Sequence, residues 1–170
     1  MEEEAIAQYL IARAGSKGLL QTQFVKLLYL ADVTAMKTFG HRLTGLSWIR
    51  YEYGPFTPEV YRLQERLHER GLAVIHQRTN VAGNPYAVIR STHAAMEGDL
   101  PPPVRLVLDC VVKEYEGLPL RALLQAAYAT EPMQNAEFGD SLDLSTAAPE
   151  GDFMTGQDLA WITGGTPWGE

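Results

Sequence analysis

One long helical pattern constrains the fold of this chain more than any other feature. From about Gln21 to Phe39, apolar residues cover more than one face of a helix, and Gly40 follows where a helix commonly ends. A helix that is apolar on several faces has to be covered on several sides. The pattern therefore predicts the central helix of the core. Asp32 lies within it, and we expect an exposed or paired carboxylate there rather than a catalytic one.

Shorter elements are predicted around this helix. Trp48 to Tyr53 favours a strand that Gly54-Pro55 stops. Two further strands, around Leu72–His76 and Tyr86–Arg90, are joined by a turn-rich loop and predict a hairpin. The expected fold is α+β and predominantly α-helical, with about five core helices and a small antiparallel sheet. The other predicted helices span residues 3–14, 57–70, 102–115 and 118–130.

Composition changes along the chain and predicts a domain followed by a tail. Residues 1–138 form the predicted domain, and residues 139–170 are an acidic tail rich in Gly, Asp, Ser, Thr and Pro. This tail is expected to be partly ordered or docked, through Phe153, Trp161 and Trp168. The net charge is +3 over residues 1–93 and −10 over residues 94–170. The plainest interpretation of the acidic end is a solvated surface that aids solubility.

Several protein classes do not fit the sequence. Cys110 is the only cysteine, so no intrachain disulfide or cysteine-based zinc cluster can form, and its apolar neighbours predict a buried structural thiol. The N-terminal residues are acidic where a signal peptide needs a basic start. No run approaches the roughly 20 apolar residues of a membrane span. We therefore expect a cytoplasmic protein without a membrane partner.

Motifs of catalysis and metal binding are not found in the sequence. The four histidines are scattered, and none stands at HExxH or His-x₃₋₅-His spacing. His68 and His76 could approach each other across a helix-to-strand turn, but two histidines make a poor metal site. There is no GxSxG elbow, no Walker-type phosphate loop and no GxGxxG at the start of a helix. We expect no catalytic residue, no metal and no cofactor, and hence not an enzyme.

The segment from Trp48 to Tyr61 has the most distinctive local composition, because it combines four aromatic residues beyond its opening tryptophan with two prolines and a glycine. Side chains with a large apolar area and a hydrogen-bonding end are common at binding surfaces. A strand-to-helix corner, however, needs Gly, Pro and a helix cap for geometric reasons alone. If the segment does bind a partner, the candidate contact residues are Tyr51, Glu52, Tyr53, Glu59 and Tyr61.

Two stretches, FVKLLYLAD and SWIRYEYGPFTPEVYR, resemble the Panacea domain of the SocA-like antitoxin family. AYATEPM at residues 127–133 is similar to a later helix-end signature of that family. Phe56 stands where the family commonly has a smaller residue such as Val. The resemblance covers residues 4 to about 138. The matching residues are Lys26, Leu27, Leu28, Tyr29, Tyr53, Gly54, Pro55, Pro58, Glu59, Val60 and Tyr61.

This resemblance implies a mostly helical fold with a small sheet and a non-enzymatic role. The implied partner is a cognate toxin protein, and an adjacent gene is the first candidate to encode it. The protein would either neutralise that toxin directly or act as a proteolytic adaptor that delivers it to a cellular protease. The family pairs with many unrelated toxins, so membership does not identify the partner.

A winged-helix-like DNA-binding regulator is the alternative. The helix at residues 57–70 precedes the hairpin at residues 72–90, which is the order of a recognition helix and a wing. Arg62, Arg66 and Arg70 recur at spacing four, so they share a face that could contact phosphates. The competing interpretation of these arginines is an exposed, salt-bridged helix face.

Overall fold

The computed structural model describes residues 2–93, 100–115 and 117–147, and these residues form a helix-dominated α+β domain. The predicted fold class is confirmed, with six helices in the described residues instead of about five. The helices are α1 (Glu2–Arg13), α2 (Gln21–Phe39), α3 (Glu59–Glu69), α4 (Pro102–Tyr115), α5 (Leu120–Tyr128) and α6 (Glu131–Gln134), and a 3₁₀ turn follows at Leu144–Ala147. The strands are β1 (Leu19–Leu20), β2 (Ile49–Tyr51), β3 (Gly54–Phe56), β4 (Ala73–Thr79) and β5 (Pro85–Ser91).

The second helix occupies the centre of the core, as its apolar pattern predicts. It has the predicted bounds, and Gly40 ends it in the left-handed conformation with φ of 77°. Phe24 and Leu28 are fully buried, and helices α1, α4 and α5 all pack against α2. Burial of one such side chain stabilises the fold by about 1.5–3 kcal/mol, so this helix makes the largest single contribution to the core.

A three-stranded antiparallel sheet lies on one side of α2, with the strand order β1-β5-β4. The predicted hairpin corresponds to β4 and β5, which pair over their whole length with Ile75 opposite Ile89. The short strand β1 was not predicted. Its two residues, Leu19 and Leu20, pair with Ile89 and Val88 and connect the start of α2 to the sheet.

A second, two-stranded sheet corrects one prediction. Gly54-Pro55 does not stop the strand that contains Tyr51 but begins a return strand, so that Tyr51 lies opposite Gly54 and Ile49 opposite Phe56. Gly54 has a φ of 94°, a conformation that side chains with a Cβ rarely adopt. Gly54 therefore permits the chain to reverse into β3, and the sheet does not end at this residue.

Asp32 is neither exposed nor paired with a cation, so the expectation for it was wrong. It is fully buried, and its carboxylate accepts hydrogen bonds from the backbone N–H groups of Leu43 (3.0 Å) and Thr44 (2.9 Å). The Thr44 hydroxyl (2.5 Å) and the indole N–H of Trp48 (2.9 Å) donate to the other oxygen. Burial raises the pKa of Asp32, and the hydrogen bonds from Thr44 and Trp48 oppose that increase.

Cys110 also differs from its prediction, because it lies on the exposed face of α4. The apolar residues around it point inward at helical spacing, with Val107 and Val111 in the core. A run of apolar neighbours along the sequence therefore did not indicate which face the thiol occupies.

Within the described part of the chain, no helix is both long and apolar enough to cross a bilayer. The candidate docking residues Phe153, Trp161 and Trp168 lie outside the described residues. Nearer the domain, residues 139–147 pack on it, with Leu142, Leu144 and Ala147 buried. The predicted boundary between residues 1–138 and 139–170 stays a prediction.

Replacing Asp32 by Ala is expected to lower the free energy of unfolding by about 3 kcal/mol, because three buried N–H donors and the Thr44 hydroxyl lose their acceptor. Urea denaturation followed by circular dichroism measures the change. Asp109→Ala is the matched control, since its half-exposed carboxylate also accepts a hydrogen bond, from Tyr9. We expect the control to lose less than about 1 kcal/mol. Equal losses in the two variants would contradict the importance of the buried network.

Candidate functional site

A buried lysine on α2 holds the hairpin formed by β2 and β3. Lys26, on α2, is 4% exposed, and its Nζ donates a hydrogen bond of 2.8 Å to the carbonyl oxygen of Pro55. Burial lowers the pKa of Lys26 to about 8. The same lysine passes beside Gly54, so α2 fixes the position at which the hairpin reverses.

An arginine holds the other strand of the hairpin. Arg50 donates two hydrogen bonds from Nη1, to the carbonyl oxygens of Met133 (3.0 Å) and Ala136 (2.5 Å). Its guanidinium also lies 5.7 Å from the centre of the Tyr128 ring. These contacts join β2 to the segment around α6 and restrict the movement of the hairpin.

Residues 139–142 pair with the outer edge of β2. The N–H of Gly139 donates to the carbonyl of Arg50 (2.7 Å), and the N–H of Arg50 donates to the carbonyl of Asp140 (2.9 Å). The N–H of Leu142 donates to the carbonyl of Trp48 (2.9 Å). This pairing brings Phe138 next to the hairpin, although 87 residues separate it from Tyr51 along the chain.

Four aromatic rings form a continuous row across the hairpin and the start of α3. Phe138 stacks on Tyr51 with ring centroids 5.6 Å apart, Tyr51 lies 5.7 Å from Phe56, and Phe56 lies 5.7 Å from Tyr61. We call this set, Phe138–Tyr51–Phe56–Tyr61, the aromatic row. Exposure is 65% for Phe138, 45% for Tyr51 and 48% for Tyr61. So much exposed aromatic surface in one place is typical of an interaction site.

The structure brings most of the predicted contact residues together. Tyr51 and Tyr61 belong to the aromatic row, and Glu52 and Tyr53 form the turn of the hairpin, where Tyr53 is 71% exposed. Glu59 makes contacts within the domain. Its carboxylate accepts hydrogen bonds from the N–H of Ser47 (2.9 Å) and the hydroxyl of Thr57 (3.3 Å), so it holds the chain at the start of α3.

Sequence reasoning missed two members of the aromatic row. Phe138 sits just before the Gly/Asp-rich stretch, and only the pairing of residues 139–142 with β2 places it beside Tyr51. Phe56 was identified only as a departure from the family pattern. In the structure its ring connects Tyr51 to Tyr61, so this larger residue extends the aromatic surface.

The three arginines on α3 and at its C-terminal end are not equally available to a ligand. Arg66 donates to one carboxylate oxygen of Glu4 at 3.0 Å, and Arg70 donates to the other. Glu4 is 4% exposed. Burial acts to raise the pKa of its carboxyl group, but the hydrogen bonds from Arg70 and Arg66 have the larger combined effect. The pKa of Glu4 is therefore lowered. Arg62 is exposed. Two of the three arginines therefore connect α3 to α1.

Among the described residues, no group of three His, Cys, Asp or Glu side chains lies close enough together to hold a metal ion. The Nδ1 of His68 lies 3.4 Å from the carbonyl oxygen of Ala73. That imidazole thus faces the backbone at the turn between α3 and β4.

A tyrosine on α2 connects the helix to the later part of the domain. The hydroxyl of Tyr29 lies 2.7 Å from the hydroxyl of Thr130, which itself donates to the carbonyl of Ala127 (2.7 Å). Thr130 therefore accepts the hydrogen bond from Tyr29. Burial raises the pKa of Tyr29 to about 12. The ring of Tyr29 also meets the buried ring of Trp48 edge to face, with centroids 5.4 Å apart.

Comparison with known proteins identifies the domain. A family model, described as antitoxin SocA-like, Panacea domain, matches residues 24–132. No curated protein and no solved structure matches the chain. The matched region runs from α2 to the first residues of α6 and contains Lys26, Tyr29, the β2–β3 hairpin and Thr130. Because it covers more than half of the chain, this protein belongs to the SocA-like antitoxin family with a Panacea domain.

Proposed function

We propose that this protein is an antitoxin-like binding module that uses the aromatic row to bind a cognate toxin protein. The observation that carries the proposal is the exposure of three large rings, Phe138, Tyr51 and Tyr61, on and beside a hairpin that α2 and α6 hold in place. A rigid aromatic surface loses little conformational entropy on binding, so more of the contact energy appears as affinity. Membership of the antitoxin family supports a toxin as the kind of partner.

Further features agree with a protein partner. Tyr51 and Tyr61 combine apolar faces with hydroxyl groups that can hydrogen-bond across an interface. Tyr53 and Glu52 extend the surface at the tip of the hairpin. A binding energy concentrated in a few central aromatic residues is the usual pattern at protein interfaces.

The proposal covers two ways of opposing the toxin. In direct neutralisation, the bound protein covers the surface through which the toxin acts. In the adaptor mechanism, the protein delivers the toxin to a cellular protease. Both need the same first contact. In direct neutralisation, the toxin is inactive in the purified complex without any protease. In the adaptor mechanism, the lifetime of the toxin in cells falls when this protein is present.

The test begins with the product of an adjacent gene, expressed alone to measure toxicity and together with this protein to measure rescue and complex formation. In the complex, Tyr51→Ser and Phe138→Ser are each expected to weaken binding by about 10-fold or more, because each loses over 1.4 kcal/mol of aromatic contact. Binding is measured by isothermal titration calorimetry with the purified proteins.

Tyr86→Ser is the matched control, since Tyr86 is a 37% exposed tyrosine on β5, outside the β2–β3 hairpin and the aromatic row. It is expected to leave the affinity unchanged within about 2-fold. Neighbouring gene products that are neither toxic nor bound would contradict the proposed function. Equal effects of Tyr86→Ser and Tyr51→Ser would contradict the assignment to the aromatic row.

DNA binding is the second candidate, and the topology is the observation that favours it. Without the β2–β3 hairpin, the order is α1, β1, α2, α3, β4, β5 with sheet order β1-β5-β4, which is a winged-helix arrangement. Fold alone does not establish function. The engagement of Arg66 and Arg70 with Glu4 reduces the positive charge that α3 offers to phosphates. We therefore rank DNA binding below toxin binding.

Mixed-sequence duplex DNA is expected to show no shift with the purified protein in a gel mobility assay at low salt, where phosphate contacts are strongest. The reason is that few arginines on α3 are available to phosphates. A shift that disappears steeply as salt increases, and that weakens in Arg62→Ala and Arg78→Ala, would favour the DNA-binding alternative. Arg13→Ala on α1, outside α3 and the β4–β5 hairpin, is the control.

A further inference from the structure

A cleft of about 200 Å³ lies between the first turns of α2 and the β2–β3 hairpin. Four of its ten lining residues are aromatic, and three of these, Tyr51, Phe56 and Tyr61, belong to the aromatic row. Lys26 also lines it. The cleft thus combines an apolar wall with one almost fully buried cation.

The hydrogen-bonding capacity of Lys26 is only partly used. An ammonium group has three N–H donors, and here one of them meets the carbonyl of Pro55 at 2.8 Å. No carboxylate forms an ion pair with Lys26 in residues 2–93, 100–115 and 117–147. Glu52 is the acidic residue in the lining, and it is exposed at the turn of the hairpin. A buried cation without an anion is costly, and an incoming anion would remove part of that cost.

The surroundings of Lys26 add to the preference for a negative group. Gln21 and Thr22, at the positive end of the α2 dipole, line the same cleft, and the first turn of α2 contains no acidic residue. Burial lowers the pKa of Lys26 to about 8, so the amine still carries its proton at neutral pH. The edges of aromatic rings are also positive and favour a carboxylate in the plane of the ring.

We infer that the cleft takes an acidic side chain of the bound protein, placing its carboxylate on Lys26 and its neighbouring apolar residue against the aromatic row. The inference rests on the proposed function, because it specifies what the toxin presents to this surface. The carboxylate accepts the two unused N–H donors of Lys26. The aromatic walls exclude water from the contact, which strengthens it.

A test on the free protein uses short peptides as probes and does not need the toxin. N-acetyl-Phe-Glu-amide at millimolar concentration is expected to shift the NMR ring signals of Tyr51 and Tyr61 but not those of Tyr86. N-acetyl-Phe-Gln-amide, which has the same shape without the charge, is expected to bind about 10-fold more weakly. Equal binding of the two peptides overturns the inference. The inference is also overturned if the only peptide that binds is one that has a C-terminal carboxylate and no acidic side chain.

Variants of Lys26 separate charge from support of the hairpin. Lys26→Met keeps the apolar stem and removes the charge, and it is expected to abolish the difference between the Glu and Gln peptides. Thermal melting and the ring signals of Phe56 report whether the hairpin has kept its position. Lys26→Arg is expected to restore part of the preference for the Glu peptide. A preference that persists in Lys26→Met overturns the inference.

The complex provides a second measurement. Acidic residues of the toxin are replaced one by one by their amides, and each is combined with Lys26→Met in a double-mutant cycle. Replacement of one of these acidic residues is expected to weaken binding to the wild-type protein about 10-fold. The same replacement is expected to have hardly any effect on binding to Lys26→Met. If the toxin binds through the aromatic row but no acidic residue couples to Lys26, the inference fails while the proposed function stands.

Discussion

Three polar side chains on successive turns of α2 determine how the rest of the domain is arranged. Lys26, Tyr29 and Asp32 follow one another at spacing three, so they lie along neighbouring positions of one buried face. Each one fixes a different distant segment by hydrogen bonds, namely the β2–β3 hairpin, the turn between α5 and α6, and the loop that leads to Trp48. A central helix surrounded only by apolar contacts would leave these segments free to slide. The directional bonds select one position for each of them.

This arrangement explains why the residues that carry the family resemblance are separated in sequence but close in space. Lys26 belongs to the first matching stretch, and its partner Pro55 to the second. Tyr29 belongs to the first stretch, and its partner Thr130 to the third. The resemblance is therefore carried largely by residues that build the domain. The exposed rings of the aromatic row use that framework as a support, and they are the part that contacts a partner in the proposed function.

Local periodicity was sufficient to predict most helices, since α2 and α4 have the expected bounds. The β4–β5 hairpin was predicted because its strands and loop are close in sequence. What could not be predicted depended on contacts between distant residues. The burial of Asp32 requires donors from residues 43 to 48, and the position of Phe138 requires backbone pairing with β2. Cys110 shows the same limit on a smaller scale, because one helix face decides its exposure.

The strand β2 is paired on both sides, with β3 on one and residues 139–142 on the other. The region that matches the family ends at residue 132, before this second partner. A shortened chain ending there would leave the backbone groups of Trp48 and Arg50 without partners and uncover the place of Leu142 in the core. An unprotected strand edge beside exposed aromatic rings is a template for self-association. We therefore expect the segment after the family match to protect this strand edge, next to the surface proposed to bind the toxin, from self-association.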